Sequence, residues 1–243
     1  MEIVFSQKFY KVYSHEPAAE PGRMEAIVRE LKGYEFVEPK PADEKDVLLV
    51  HTKRHFEYIK RDRELFEIAM LAVGGTILSA EIAFREPSFA LVRPPGHHAS
   101  PDSAWGFCYF NNVAIAVKKL LTEGKISKAV IVDFDLHFGD GTANTFRDEP
   151  RVIYYHMSGI NIEGIAEFLE RHEYDIIAVS AGFDRHIDDW GGLLETEDYT
   201  EIGRILKEFA EKKCNGKRFA ALEGGYNHEV LGKNVKAFLK GFD

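Results

Sequence analysis

Only two cysteines, Cys108 and Cys214, occur in 243 residues, and they show no C-x-x-C spacing. A disulfide framework is thereby excluded, and the pair reads as reduced thiols, so any metal has to be held by histidine and carboxylate. Basic charge is also scarce: 31 Lys and Arg stand against 40 Asp and Glu, a formal net charge of −9. That argues against a broad basic face, and no direct nucleic-acid binding is expected. Apolar runs such as Ala129 to Val132 and Ile176 to Ala181 fall far below the roughly 18 to 20 residues that cross a bilayer, so no membrane span is expected. The start, Met1-Glu2-Ile3-Val4-Phe5-Ser6-Gln7-Lys8, lacks the basic head, apolar stretch and cleavage site of a secretory signal, which points to the cytoplasm. No Ser/Pro/Gly-rich linker, low-complexity tract or repeat divides the sequence, and residues 1–243 read as one domain.

What is present is core material, with 45% hydrophobic residues. Apolar or β-branched runs predict strands at Val47 to Val50, Phe89 to Val92, Ala129 to Phe134, Val152 to Tyr155, Ile176 to Ser180 and Phe219 to Leu222. Between them, Phe66 to Phe84, Asn112 to Leu121, Ile162 to Arg171, Thr200 to Lys212 and Val230 to Leu239 carry helical patterns, the second preceded by an asparagine suited to capping. The alternation predicts a single-domain α/β fold, a mostly parallel sheet flanked by helices. Ligand sites of such sheets lie beyond the carboxyl ends of the strands.

The polar clusters fall at those ends. The run Ala-Val-Ile-Val closes in Asp133-Phe134-Asp135-Leu136-His137-Phe138-Gly139-Asp140-Gly141. If the extended conformation persists, Asp133, Asp135 and His137 share one side. Like charges gathered in a core call for a cation, so a divalent metal is expected here. Asp184, just after the run Ile176 to Ala181, is a candidate third ligand. An Asp, His, Asp set with an open position suits catalytic zinc or iron(II). Arg93-Pro94-Pro95-Gly96-His97-His98 presents paired imidazoles for acid/base work, their charge states set by different carboxylate partners. Glu223-Gly224-Gly225-Tyr226-Asn227 presents a tyrosine able to donate to a developing oxyanion.

These motifs, with Gly-Phe-Cys-Tyr-Phe-Asn-Asn at 106 to 112 and the helix start Val50 to His55, resemble in content and order the histone deacetylase superfamily. That superfamily includes acetylpolyamine amidohydrolases and acetoin-utilisation proteins and has the arginase/deacetylase fold. The resemblance implies that Asp135, His137 and Asp184 bind the catalytic metal, usually zinc, with iron(II) the alternative. It makes His97 and His98 the acid/base pair, oriented by Asp133 and Asp140, and Tyr226 the clamp on the substrate carbonyl. Phe107 would line the acyl-lysine channel, and Gly106 would meet the substrate through its backbone. The implied reaction is hydrolysis of an acetylated lysine or an acetylated small amine; a non-catalytic acyl-lysine binding protein and an arginase-like ureohydrolase are the alternatives.

The sequence also departs from the pattern. His137 and Asp184 are only 47 positions apart, and after Tyr155-His156-Met157-Ser158 the chain runs almost directly into the next helix. A long loop that builds one channel wall is missing, so a shallower, more open site is expected. The stretch from His55 to Phe66 is short, which removes an insertion linked to dimerisation and leaves the oligomeric state open. Potassium, held in the family by carbonyls of the Asp133 to His137 segment and groups on the next strand, is a further candidate ion. Trp190 stands in a stretch that carries another pattern in the family, and either rims the entrance or packs.

Overall fold

The computed structural model describes residues 1–243. Its strands are β1 (Glu2–Val4), β2 (Glu35–Val37), β3 (Ser88–Ala90), β4 (Ala129–Asp133), β5 (Val152–His156), β6 (Ile177–Ala181) and β7 (Arg218–Leu222). The helices are α1 (Arg23–Glu30), α2 (Glu44–Val47), α3 (Lys53–Ile59), α4 (Arg63–Ile82), α5 (Asn112–Thr122), α6 (Asp140–Phe146), α7 (Glu163–Glu170), α8 (Thr196–Cys214) and α9 (His228–Phe242). All seven strands form one sheet in the order β2-β1-β3-β7-β6-β4-β5, and every pairing is parallel.

Every residue of β4, β6 and β7 is buried. A strand covered on both faces has no solvent side to mark with polar residues, which is why Ala-Val-Ile-Val and Ile-Ile-Ala-Val appear as continuous apolar runs. Helix starts follow local chemistry: Asp62, Asn111 and Asn227 each accept a hydrogen bond from a first-turn N–H of α4, α5 and α9. Helices α4 and α5 pack together, and α9 packs on α1 and α8.

The register sets up the site. Asp133 pairs with Ser180 and His156, Ser180 with Ala221, and Ala90 also with Ala221. The ends of β3, β7, β6 and β4, neighbours in that order, therefore deliver the four motif segments to one sheet edge.

Several local expectations are corrected. Val47 to Val50 is no strand: Leu48 N donates to Glu44 O and Val50 N to Val47 O, the end of α2 and a turn. A run of that length does not distinguish strand from helix by periodicity. β1, β2 and α6 were not foreseen, the strands being only three residues each. Helix α4 is long and apolar enough to cross a membrane, contrary to the expectation of no such stretch, and most of it is buried inside the fold, against β1, β3, β7 and α5.

Candidate active site

The loop after β3 is fixed from below. Glu223 Oε2 accepts from Gly96 N at 2.6 Å and His97 N at 3.2 Å, and Arg23 ties the next turn, donating to Glu223 O and Gly225 O. The rings of His97 and His98 then lie side by side, 4.1 Å between centroids. Each has its own carboxylate. His97 Nδ1 is 3.0 Å from Asp133 Oδ2, which also accepts from the Tyr154 hydroxyl at 2.9 Å. His98 Nδ1 is 2.7 Å from Asp140 Oδ1, while Asp140 Oδ2 accepts from Trp105 Nε1 at 2.9 Å. The Trp105 ring also covers His98, with centroids 4.0 Å apart.

These surroundings drive the two imidazoles in opposite directions. Burial lowers the pKa of His97, but the charges of Asp135, Asp133 and Glu223 outweigh it and hold the ring well above its ordinary value. Burial and the neighbouring His97 both push His98 down, against the hydrogen bond its Nδ1–H donates to Asp140. The surroundings bias His97 toward the imidazolium and His98 toward the neutral base, the division acid/base chemistry requires.

Asp135, His137 and Asp184 present ligand atoms within 4.8 Å of one another. The route differs from the extended strand expected: β4 stops at Asp133, and the following turn is built on carboxylates. Asp135 N donates to Asp133 Oδ1, and His137 N to Asp135 Oδ1. Gly182 allows the close approach between β4 and β6, because a Cβ there would stand 2.1 Å from Asp135 Oδ2. Asp184 Oδ1 accepts from Leu136 N, whereas its Oδ2 is buried without an aligned hydrogen-bond partner. The side chains of Asp135 and Asp184 hold His137 Nδ1 at 3.3 and 3.1 Å and push the imidazole up to about 10. Two buried carboxylates, one with an orphaned oxygen, beside a half-exposed imidazole fit a divalent cation with an open coordination position. A second group, His97, Cys108 and Glu223, is already committed, since Glu223 holds Gly96 and Asp133 holds His97.

Opposite this trio, a cavity of about 120 Å³ is bounded by His97, His98, Phe107, His137, Trp190 and Tyr226. Tyr226 uses its backbone N–H on Asp189 Oδ2, and its ring stacks on Trp190, centroids 4.0 Å apart. Phe107 meets both rings edge-on. Trp190 therefore does both things expected of it, packing on Tyr226 while remaining about half exposed at the rim. Gly106 and Phe107 both have left-handed backbone, φ 60° and 65°. A Cβ at Gly106 would lie 2.5 Å from His98 Cδ2, so only glycine lets this segment close over the histidine. The chain passes from β5 to α7 through residues 157–162 alone, and these aromatic rings wall a small pocket.

Residues 17–162 and 160–242 match the model of the histone deacetylase domain. The chain belongs to the histone deacetylase family. A probable deacetylase of Methanothermobacter thermautotrophicus is 32% identical over 99% of this chain and 90% of its own length. Another from Archaeoglobus fulgidus is 33% identical over 86% and 75%. The crystal structure of the HDA15 HD domain superposes with a TM-score of 0.87 at 22% identity, covering 99% of this chain and 88% of its own, so the fold is the arginase/deacetylase fold.

All ten residues singled out in the sequence lie in or around this one pocket. Four more were missed: Glu223, Trp105, Tyr154 and Arg185. Glu223 sat in a quoted motif, adjacent to its glycines, and was legible as a buried carboxylate at a strand end. Trp105 and Tyr154 gave no sequence signal, because the Trp105 indole N–H reaches Asp140 and the Tyr154 hydroxyl reaches Asp133 from other segments of the chain.

Proposed function

We propose that the protein is a metal-dependent deacetylase that hydrolyses the acetamide of acetyl-lysine side chains or of small acetylated amines such as acetylpolyamines. The observation that carries this reading is the His97 and His98 pair, each on its own aspartate, lining together with Tyr226 one pocket of about 120 Å³. That volume is worth about four water molecules, the scale of an acetamide. Asp135, His137 and Asp184 would hold zinc, or iron(II), which when bound acidifies water and polarises the amide carbonyl.

The chain's own residues supply the rest. His98, neutral and backed by Asp140, accepts a proton from the attacking water. Tyr226 donates to the carbonyl oxygen as negative charge develops there. Burial, reinforced by Asp135 and Asp184, keeps its phenol well above the ordinary value, so the hydroxyl remains a donor. His97, held protonated by Asp133 and Asp135, gives its proton to the nitrogen as the C–N bond breaks. Acetate and a free amine result. A ureohydrolase with two bridged metals would need further bridging carboxylates, and Asp133 is committed to His97 and Tyr154.

The reading is tested by free-amine release from an acetyl-lysine peptide and from N-acetylputrescine by zinc- or iron(II)-loaded protein. Release from neither substrate, with metal bound, refutes it. Two further results are expected. Because the pKa of His98 lies below its ordinary value, the base is neutral throughout the neutral range, and the acid limb of kcat/KM should set in only below about pH 6.5, while loss of the His97 proton sets an alkaline limb well above it. Asp140→Asn removes the charge that raises His98, so a pH profile should show that acid limb at lower pH with a reduced plateau. Trp105→Phe keeps a ring over His98 and deletes the N–H to Asp140; kcat should drop by about tenfold with metal content unchanged.

A further inference from the structure

Arg185 follows Asp184 directly, yet its guanidinium turns to backbone oxygens. It is 2% exposed. Nε donates to Phe134 O at 2.9 Å and Asp135 O at 3.1 Å, Nη1 to Gly159 O at 2.8 Å, and Nη2 to Asp135 O at 2.8 Å and to Met157 O. Four carbonyls from two segments, the turn after β4 and the short loop after β5, thus converge on one buried cation. Converging carbonyl dipoles are also what solvates a bare potassium ion. The guanidinium already fills the space on which these oxygens converge, and a second positive charge would sit against the first. Potassium, a candidate from the sequence, therefore does not fit this cradle.

We propose that Arg185 is a built-in monovalent cation that holds the metal-ligand turn in place and makes the site independent of potassium. It is a positioning residue. By gripping the carbonyl of Asp135 it fixes the backbone of a metal ligand, and through Met157 and Gly159 it pins the shortened loop to that turn. Its charge has an electrostatic use as well. Asp133, Asp135 and Asp184 are buried carboxylates, and the guanidinium adds to the positive charge that a divalent ion and His97 bring to them.

The test compares metal-loaded wild type with Arg185→Ala and Arg185→Lys in potassium or tetramethylammonium chloride at one ionic strength, reading thermal midpoint, metal content and amine release. Wild type should be indifferent to the exchange in every readout. In tetramethylammonium, Arg185→Ala should melt earlier and turn over about 10- to 100-fold more slowly, and potassium should restore part of both. Arg185→Lys, which retains a tethered charge, should stay indifferent to potassium. A wild-type midpoint or turnover that rises specifically with potassium overturns the proposal. So does an Arg185→Ala protein that equals wild type without potassium, or one that is impaired and not helped by it. Should Arg185→Ala fail to fold, the wild-type and Arg185→Lys comparisons decide. The thermal readout does not depend on the deacetylase reading, so failure of one is distinguishable from failure of the other.

Discussion

Removal of divalent metal is expected to abolish amide hydrolysis, and one equivalent of zinc or iron(II) to restore it. The expectation rests on the carboxylates. Asp135 and Asp184 are buried at 1% and 0% exposure, and mutual repulsion and burial drive Asp184 upward. Both oxygens of Asp135 accept hydrogen bonds, from His137 and Gly224, whereas Asp184 Oδ2 lacks an aligned one. A ligand that accepts this electron density stabilises the folded state by mass action, about 2.7 kcal/mol at a hundredfold excess over Kd. Chelation should therefore lower the thermal midpoint together with turnover. Loss of polarisation and of acidified water is worth several kcal/mol, so the rate should fall by about three powers of ten or more. Hydrolysis that persists when metal analysis shows far less than one ion per chain would contradict the assignment of Asp135, His137 and Asp184.

Tyr226→Phe is expected to lower kcat by about 10²- to 10³-fold with little change in metal content or thermal midpoint. The ring is already held by Trp190 and Phe107, and the backbone by Asp189. Phenylalanine keeps all of those contacts and loses only the hydroxyl. A donor aimed at charge that exists chiefly in the transition state affects kcat more than KM. Steady-state kinetics on an acetyl-lysine peptide, with metal analysis on the same samples, separates this from a structural defect. An unchanged kcat would remove Tyr226 from the chemistry.

The motif segments could be read in advance because buried parallel strands announce themselves. Ala-Val-Ile-Val before Asp133 and Ile-Ile-Ala-Val before Ser180 have no polar alternation, and a carboxylate appearing at the end of such a run has few structural reasons to be there. Strands β1 and β2 escaped, since three residues each carry too little pattern to mark a strand. The turn after Asp133 was also misjudged. Strand alternation would have aligned Asp133, Asp135 and His137, but the aligned set is made instead by backbone N–H groups bonding back to aspartate oxygens.

By itself the sequence determined the residue types at each strand end, the order in which they occur and the parallel α/β architecture. These are local properties: burial of a strand, the freedom of a glycine, the charge of a side chain. Only the tertiary structure decided which imidazole is pushed up and which down, that Trp105 braces Asp140, that aromatic rings wall the pocket, and that a guanidinium fills the carbonyl cradle beside Asp135 and Asp184. Each depends on distances between groups tens of residues apart, such as Arg185 and Asp135, 50 positions from one another. Electrostatic energies in a buried site are set by those separations and by exclusion of water, neither of which is written in any single segment.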